Sequence, residues 1–186
     1  IVATSADAIA RAHTLGIIHN NIKPNNVFAA RDGSWAQISD FSLTMLTEGI
    51  PEVIRATINT PLPAYLAPER RRGFEPNSAS DIYALGIFLY ELLTGMVPFP
   101  GNDPATVYSR QERTQASPPS RYNSSITPEL DAIVLKAIAP SLGTRYSSAE
   151  DLAHDLRSNV DLLPKDIATS RVPPPEKQAA RQTPGF

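Results

Sequence analysis

The stretch from Ser80 to Leu93 limits this chain most. Ile82, Leu85, Phe88, Leu89, Leu92 and Leu93 recur at helical spacing, and apolar side chains fill nearly the whole circumference. Such a helix has no solvent face, so other elements must pack around it on all sides. Ser78 or Ser80 can cap its start, and Gly95 lies just past its end. The run is interrupted by Glu91 and is too short to span a bilayer, and no signal segment opens the chain. We therefore expect the hub of a soluble core with no membrane segment within this chain. The length of 186 residues suffices for one such core.

The flanking sequence predicts more helices and little sheet. Ile1, Val2, Ala6, Ile9, Ala10 and His13 carry helical spacing over residues 1–15, with Gly16 as a stop. Three short β-type runs follow at Gly16 to His19, Val27 to Ala29 and Trp35 to Ser39. The last two flank Arg31-Asp32-Gly33, a turn signal, and read as a hairpin. Residues 42–77 show no sustained period and predict a long loop, either functional or disordered. A helix is expected over Pro104 to Arg113. Another opens at Thr127-Pro128-Glu129 and runs to about Ala139, and a third opens at Ser147 to Asp151 with capping-box spacing and runs to about Val160. Beyond about Leu163, five prolines and few apolar residues predict a disordered tail, read equally as an extended docking peptide or a plain linker. The expected division is a globular unit over residues 1–162 and a Pro-rich tail over 163–186. No internal repeat occurs.

Charge and composition exclude several functions. A formal charge of -2 and a pI near 5.9 offer no broad attraction for nucleic acid. The absence of cysteine closes disulfide, thiolate-metal and Cys-nucleophile chemistry and fits a reducing, cytoplasmic setting. No Gly-x-Ser-x-Gly elbow occurs, which leaves a hydrolase triad unsupported. The start at Ile1 instead of Met suggests a piece of a longer product, whose parent could be membrane-anchored beyond Phe186.

Three stretches in order carry a specific signal: His19-Asn20-Asn21-Ile22-Lys23-Pro24-Asn25-Asn26-Val27, then Asp40-Phe41-Ser42, then Ala64-Tyr65-Leu66-Ala67-Pro68-Glu69. Together with Ser80 to Gly86 and Gly95 to Phe99, they resemble the catalytic loop, the metal motif and the activation-segment end of eukaryotic-type protein kinases, in the bacterial Ser/Thr form. The resemblance covers about residues 1–160. It implies the C-terminal lobe of a kinase-like fold, mainly α with a small β-hairpin, organised around the buried central helix. The glycine-rich loop, the strand lysine and its partner glutamate of the N-lobe would lie before Ile1.

The resemblance also implies roles. Asn26 and Asp40 would hold magnesium through hard oxygen atoms, Lys23 would neutralise the transferred phosphate of ATP, and Phe28 would form part of the floor under adenine. Arg145 would pair with Glu69 and tie the activation segment to the lobe. Asn21 departs from the pattern: the family has an aspartate there, which orients the substrate hydroxyl and accepts its proton. Asn20 replaces an arginine that docks a phosphorylated activation segment, Leu62 replaces a threonine that bonds the catalytic aspartate and lysine, and Ser42 replaces a glycine. These departures imply a pseudokinase that acts as a signalling scaffold or nucleotide-sensing module on a protein partner. The alternatives are an active Ser/Thr kinase in the intact parent with weakened catalysis, which would take a protein substrate, and a free-standing interaction lobe. ATP and magnesium are expected to bind the intact parent, and this fragment weakly or not at all. Oligomeric state is left open.

Other residues carry milder readings. Asp81 either braces the catalytic-loop backbone or caps its own helix. His19 is expected to be packed and structural, His13 and His154 to be ordinary residues, and Glu91 and Asp155 to form structural or solvated pairs. Arg70, Arg71 and Arg72 read as exposed loop charges or as a contact for an acidic partner.

Overall fold

The computed structural model describes residues 1–30, 32–41 and 62–159. The expected tail, the Ser42 position and most of the 42–77 loop lie outside these residues. Among the described residues, six helices, a two-stranded sheet and several 3-10 turns follow in the order α1 (Val2–Thr14), β1 (Val27–Ala29), β2 (Ala36–Ile38), α2 (Pro68–Arg71), α3 (Ser78–Thr94), α4 (Pro104–Arg113), α5 (Pro128–Ala137) and α6 (Ala149–Ser158). The arrangement is mostly helical with one small antiparallel sheet, as the sequence predicts.

Helix α3 is buried on every side. Every residue from Ser80 to Tyr90 is buried, and Ile82, Leu85 and Ile87 are fully enclosed. Burying each such aliphatic side chain stabilises the fold by about 1.5–3 kcal/mol relative to exposure. Helices α1, α5 and α6 pack against α3, and α1 also packs on α6, with its Val2, Ala6, Ile9 and Ala12 buried. An ion pair between Arg157 and Asp7 closes that seam at the surface. Gly86 lets α3 approach α5: a Cβ there would stand 2.7 Å from both Ala137 Cβ and Ile138 Cγ2. Helix α3 ends on Gly95, in the left-handed region at φ 75, where its N–H donates to the Glu91 carbonyl at 2.8 Å.

Four details differ from the sequence expectation. Asn77 caps α3, accepting the Ser80 N–H at 3.1 Å, because the Ser80 hydroxyl is directed instead to Glu69. The run from Gly16 to His19 is not a strand: the Gly16 and Ile17 N–H groups turn back to the His13 and Ala12 carbonyls of α1, and the His19 N–H donates to a side chain of α3. The loop carries a 3-10 turn over Pro63–Tyr65 and the short helix α2, both opened by proline and too short to show a period. Helix α5 stops at Ala137, two residues early. The other expected caps hold: Thr127 accepts the Leu130 N–H and Ser148 the Asp151 N–H. Val160, the expected end of α6, lies outside the described residues.

The hairpin pairs Val27 with Ile38, Phe28 with Gln37 and Ala29 with Ala36. It sits beside α1 and presents the loop of residues 17–26 next to the start of α3.

Candidate functional site

The loop from His19 to Asn26 has little regular structure of its own, so its shape depends on imported hydrogen bonds. Asp81, 1% exposed in the first turn of α3, provides them: its Oδ2 accepts the His19 N–H and its Oδ1 the Asn20 N–H, both at 2.8 Å. Its side chain is thus spent on the loop, which decides between the two readings in favour of the brace. His13 joins it from the last turn of α1, with Nε2 donating to Asp81 Oδ2 at 2.9 Å. Two N–H groups and an imidazole converge on one buried carboxylate. Asn20 adopts φ 59, a left-handed conformation that asparagine tolerates better than most residues.

His19 forms the second staple. Its Nδ1 accepts the Asn21 N–H at 3.2 Å, so Nε2 carries the proton and donates to the Ser39 carbonyl at 3.0 Å. The ring lies 4.4 Å from that of Phe41. Burial lowers its pKa, opposed by the charge of Asp81 and the bond to Ser39. It is the packed, structural histidine expected from the sequence.

These bonds place the expected site residues. Asn26 is buried, and its Nδ2 donates to the Asn21 carbonyl at 2.9 Å, which closes the loop on itself. Ser39 N–H donates to the Asn26 carbonyl at 2.8 Å, so Asp40 follows directly on a residue paired with Asn26. Asp40 is exposed, with φ 59. With Asn26 Nδ2 committed to the backbone, its Oδ1 is the side-chain atom left for a ligand. Lys23 caps the 3-10 turn Pro24–Asn26 in extended conformation, and its side chain is half-buried. Phe28 is 55% exposed on β1. Asn21 is 7% exposed, and its Oδ1 is buried without a hydrogen-bond partner. Asn21 lines a cavity of about 20 Å³ with Tyr65, Arg70, Ser80 and Asp81, where the loop meets α2 and α3.

Glu69 on α2 anchors the third motif. Its carboxylate accepts from Arg145 Nη1 at 2.8 Å and Nη2 at 3.2 Å, and from the Ser80 hydroxyl at 3.1 Å. Burial alone would push the Glu69 pKa up; the Arg145 bonds outweigh it and hold it below the ordinary carboxylate range. Arg145 also donates to the Ala79 carbonyl at 2.7 Å and the Ala139 carbonyl at 3.0 Å. Nearby, the Tyr65 hydroxyl donates to Glu91, and burial followed by that carboxylate raises its pKa. Leu62, 46% exposed, borders a largely apolar groove of about 600 Å³ with Pro24, Tyr65, Val97, Phe99 and Val107.

The Protein kinase domain family matches residues 1–156. This chain belongs to the protein kinase family. It is 37% identical over 157 residues to the serine/threonine-protein kinase PknB of Mycolicibacterium smegmatis, covering 84% of this chain and 25% of that protein. It is 38% identical over 160 residues to a probable serine/threonine-protein kinase of Streptomyces coelicolor, covering 84% and 23%. These kinase relatives are bacterial, and the chain spans about a quarter of their length. Among solved structures, Rad53 1-466 in complex with AMP-PNP matches with a TM-score of 0.66 at 24% identity, over 83% of this chain and 38% of that one, which gives the kinase fold.

Within the kinase lobe, several functional contacts escape sequence reasoning. His13, expected to be ordinary, is a member of the brace, yet it stands 68 positions from Asp81 with no local signal. Arg71 is neither a free loop charge nor an open contact: it donates to the Tyr108 carbonyl and to Glu112, both at 2.7 Å, and lies over the Tyr108 ring. Arg70 donates to the Phe74 carbonyl, while Arg72 is exposed. Glu91 and Asp155 are structural partners of Tyr65 and Tyr146, and His154 is exposed.

Proposed function

We propose that this chain is the C-terminal lobe of a pseudokinase: a module that engages a protein partner and retains the magnesium-nucleotide positions in its intact parent, but does not transfer phosphate efficiently. One observation carries this reading. Residue 21 is held by its own N–H on His19 and its own carbonyl on Asn26, at the centre of an intact loop frame, yet its side chain is an amide. An amide does not accept the proton of a substrate hydroxyl at neutral pH, and a general base contributes about 10²–10⁴-fold to such reactions.

The supporting residues divide by task. Asn26 and Asp40 would hold magnesium, Lys23 would face the terminal phosphate, and Phe28, exposed on β1, would lie under the adenine of ATP. Magnesium, when bound, supplies charge neutralisation on the phosphate oxygens. The apolar groove beside Leu62 offers a protein segment a surface next to residues 24 and 25. Leu62 itself has no hydroxyl to bond the loop, so the groove suits binding better than alignment for transfer. We assign the lobe to residues 1–162 and read 163–186 as a Pro-rich tail or linker. Among the described residues no helix is long and apolar enough to cross a membrane; we place the lobe on the cytoplasmic side.

The second reading, an active Ser/Thr kinase with weakened catalysis, draws on the same retained Lys23, Asn26 and Asp40 and on relatives named as kinases. A phosphate-transfer assay on the intact parent beside Asn21→Asp, with magnesium-ATP binding followed by thermal shift, separates the two. We expect little or no transfer by the unaltered parent and a gain on the order of 10²-fold in the variant, with nucleotide binding common to both. Robust transfer by the unaltered parent would falsify the pseudokinase reading.

A further inference from the structure

A cavity of about 630 Å³ opens between α2, α3, α4 and α5, within the size range of small-molecule sites. None of Lys23, Asn26 or Asp40 lines it, so it is separate from the nucleotide positions. Its apolar wall is built by Phe99, Leu135 and Ile138, with Ala116 at one side. Phe99 also borders the groove beside Leu62, so one ring is a wall of both spaces.

Two further observations define its chemistry. Tyr83 and Gln111, 1% and 5% exposed, form part of the lining with their side chains next to each other, and within that pair the Tyr83 O–H and Gln111 Oε1 keep bonding capacity that no third group fills. Folded proteins leave few such atoms unpaired, and here a donor and an acceptor occur beneath one cavity. At the rim stand Arg71, Arg72, Arg113 and Glu112. Arg71 is neutralised by Glu112, whereas Arg72 and Arg113 are exposed and have no acidic partner among the described residues. Three arginines against one glutamate leave two positive charges at the mouth of a space whose inner wall is apolar on the side of Phe99, Leu135 and Ile138.

We propose that this cavity binds a small amphipathic anion, with its carboxylate or phosphate at Arg72 and Arg113, its apolar body against Phe99, Leu135 and Ile138, and a hydroxyl or amide at the far end toward Tyr83 and Gln111. The site is independent of the assignment of residue 21, and its test does not involve phosphate transfer.

The probes are decanoate, 10-hydroxydecanoate, decanol and decyltrimethylammonium, each titrated below its micelle concentration into this chain by calorimetry and thermal shift. Saturable one-to-one binding is expected for the two acids, with 10-hydroxydecanoate the tighter, and little for the alcohol or the cation. Combined Arg72→Gln and Arg113→Gln substitution on the exposed rim should weaken decanoate roughly fivefold, the scale of exposed charge contacts. Tyr83→Phe should leave decanoate binding in place and remove the advantage of the hydroxy acid. Ala116→Trp should block both acids; if that variant fails to fold, the rim pair decides. Equal binding of decanol and decanoate, unchanged affinity in the rim variant, or binding of an acidic apolar peptide with none of decanoate would each overturn the proposal.

Discussion

The frame of the catalytic loop and the residue at its centre were built to different standards. Around Asp81 and Glu69 the buried charged groups are matched: one carboxylate takes two backbone N–H groups and His13, the other takes Arg145 twice and Ser80. At Asn21, by contrast, the backbone is fully engaged while the amide oxygen is buried with no partner. The difference teaches that loop shape and loop chemistry are separable here. Shape comes from backbone groups, from His13 on α1 and Asp81 on α3, and from His19 and Asn26 within the loop, none of which depends on whether residue 21 is a carboxylate or an amide.

If the frame stands by itself, breaking it should cost far more than any change at the centre. The largest effect is expected from Glu69→Ala, which strands the buried Arg145 guanidinium. Leaving one partner of a buried ion pair uncompensated costs about 3–5 kcal/mol, and for a domain of this size that lowers the midpoint of thermal unfolding by roughly 10 °C. A loss near that of an exposed pair, below about 1 kcal/mol, measured by thermal or urea unfolding, would show that the frame is not what holds α2 to the lobe.

Asp81→Asn sharpens the same comparison from the loop side. The amide keeps the shape of the carboxylate but has only one acceptor oxygen for the three donors that meet there. Hydrogen bonds to a charged group are worth about 1.5–3 kcal/mol, so the expected loss lies in that range. It should come with faster amide exchange at His19 and Asn20, whose N–H groups donate directly to the carboxylate. Unchanged exchange at those two positions would mean the loop keeps its shape without α3.

How much of this was legible in the sequence follows the same division. Helix α3 announced itself because a nearly all-apolar helical run has one resting place, and the caps at Thr127 and Ser148 are local chemistry. The hairpin was legible from its turn and flanking runs. The segment from Gly16 to His19 misled because Ile17 and Ile18 look like strand residues, while the Ile17 N–H turns back to the Ala12 carbonyl of α1 and the His19 N–H goes to a carboxylate more than 60 positions away. Ser78 and Ser80 looked like caps, but the Ser80 hydroxyl had a buried carboxylate within reach and Asn77 took the role. The site residues emerged as a motif; the His13 contact, the Arg71 clamp on α4 and the cavity over Tyr83 are products of packing that no spacing encodes.

The smallest expected effect concerns pH and probes the staple nearest to Asn21. Burial holds His19 neutral in the folded chain, with a pKa below its ordinary value, despite the opposing charges of Asp81 and Asp40 and with His13 on the same carboxylate. The unfolded chain titrates its histidine near about 6.5. Between the folded and unfolded pKa values the unfolded state binds the extra proton, so stability rises with pH. The contribution is fully present above the unfolded value and is lost as pH falls from there toward the folded pKa, with a slope approaching about 1.4 kcal/mol per pH unit for the single proton. His19→Gln removes the titrating ring, so its unfolding free energy should fall less steeply than that of the unaltered chain as pH drops below 6.5. Equal slopes in the unaltered chain and His19→Gln would mean the imidazole accepts a proton in the folded state, which would remove the acceptor for the Asn21 N–H and loosen the residue on which the whole comparison turns.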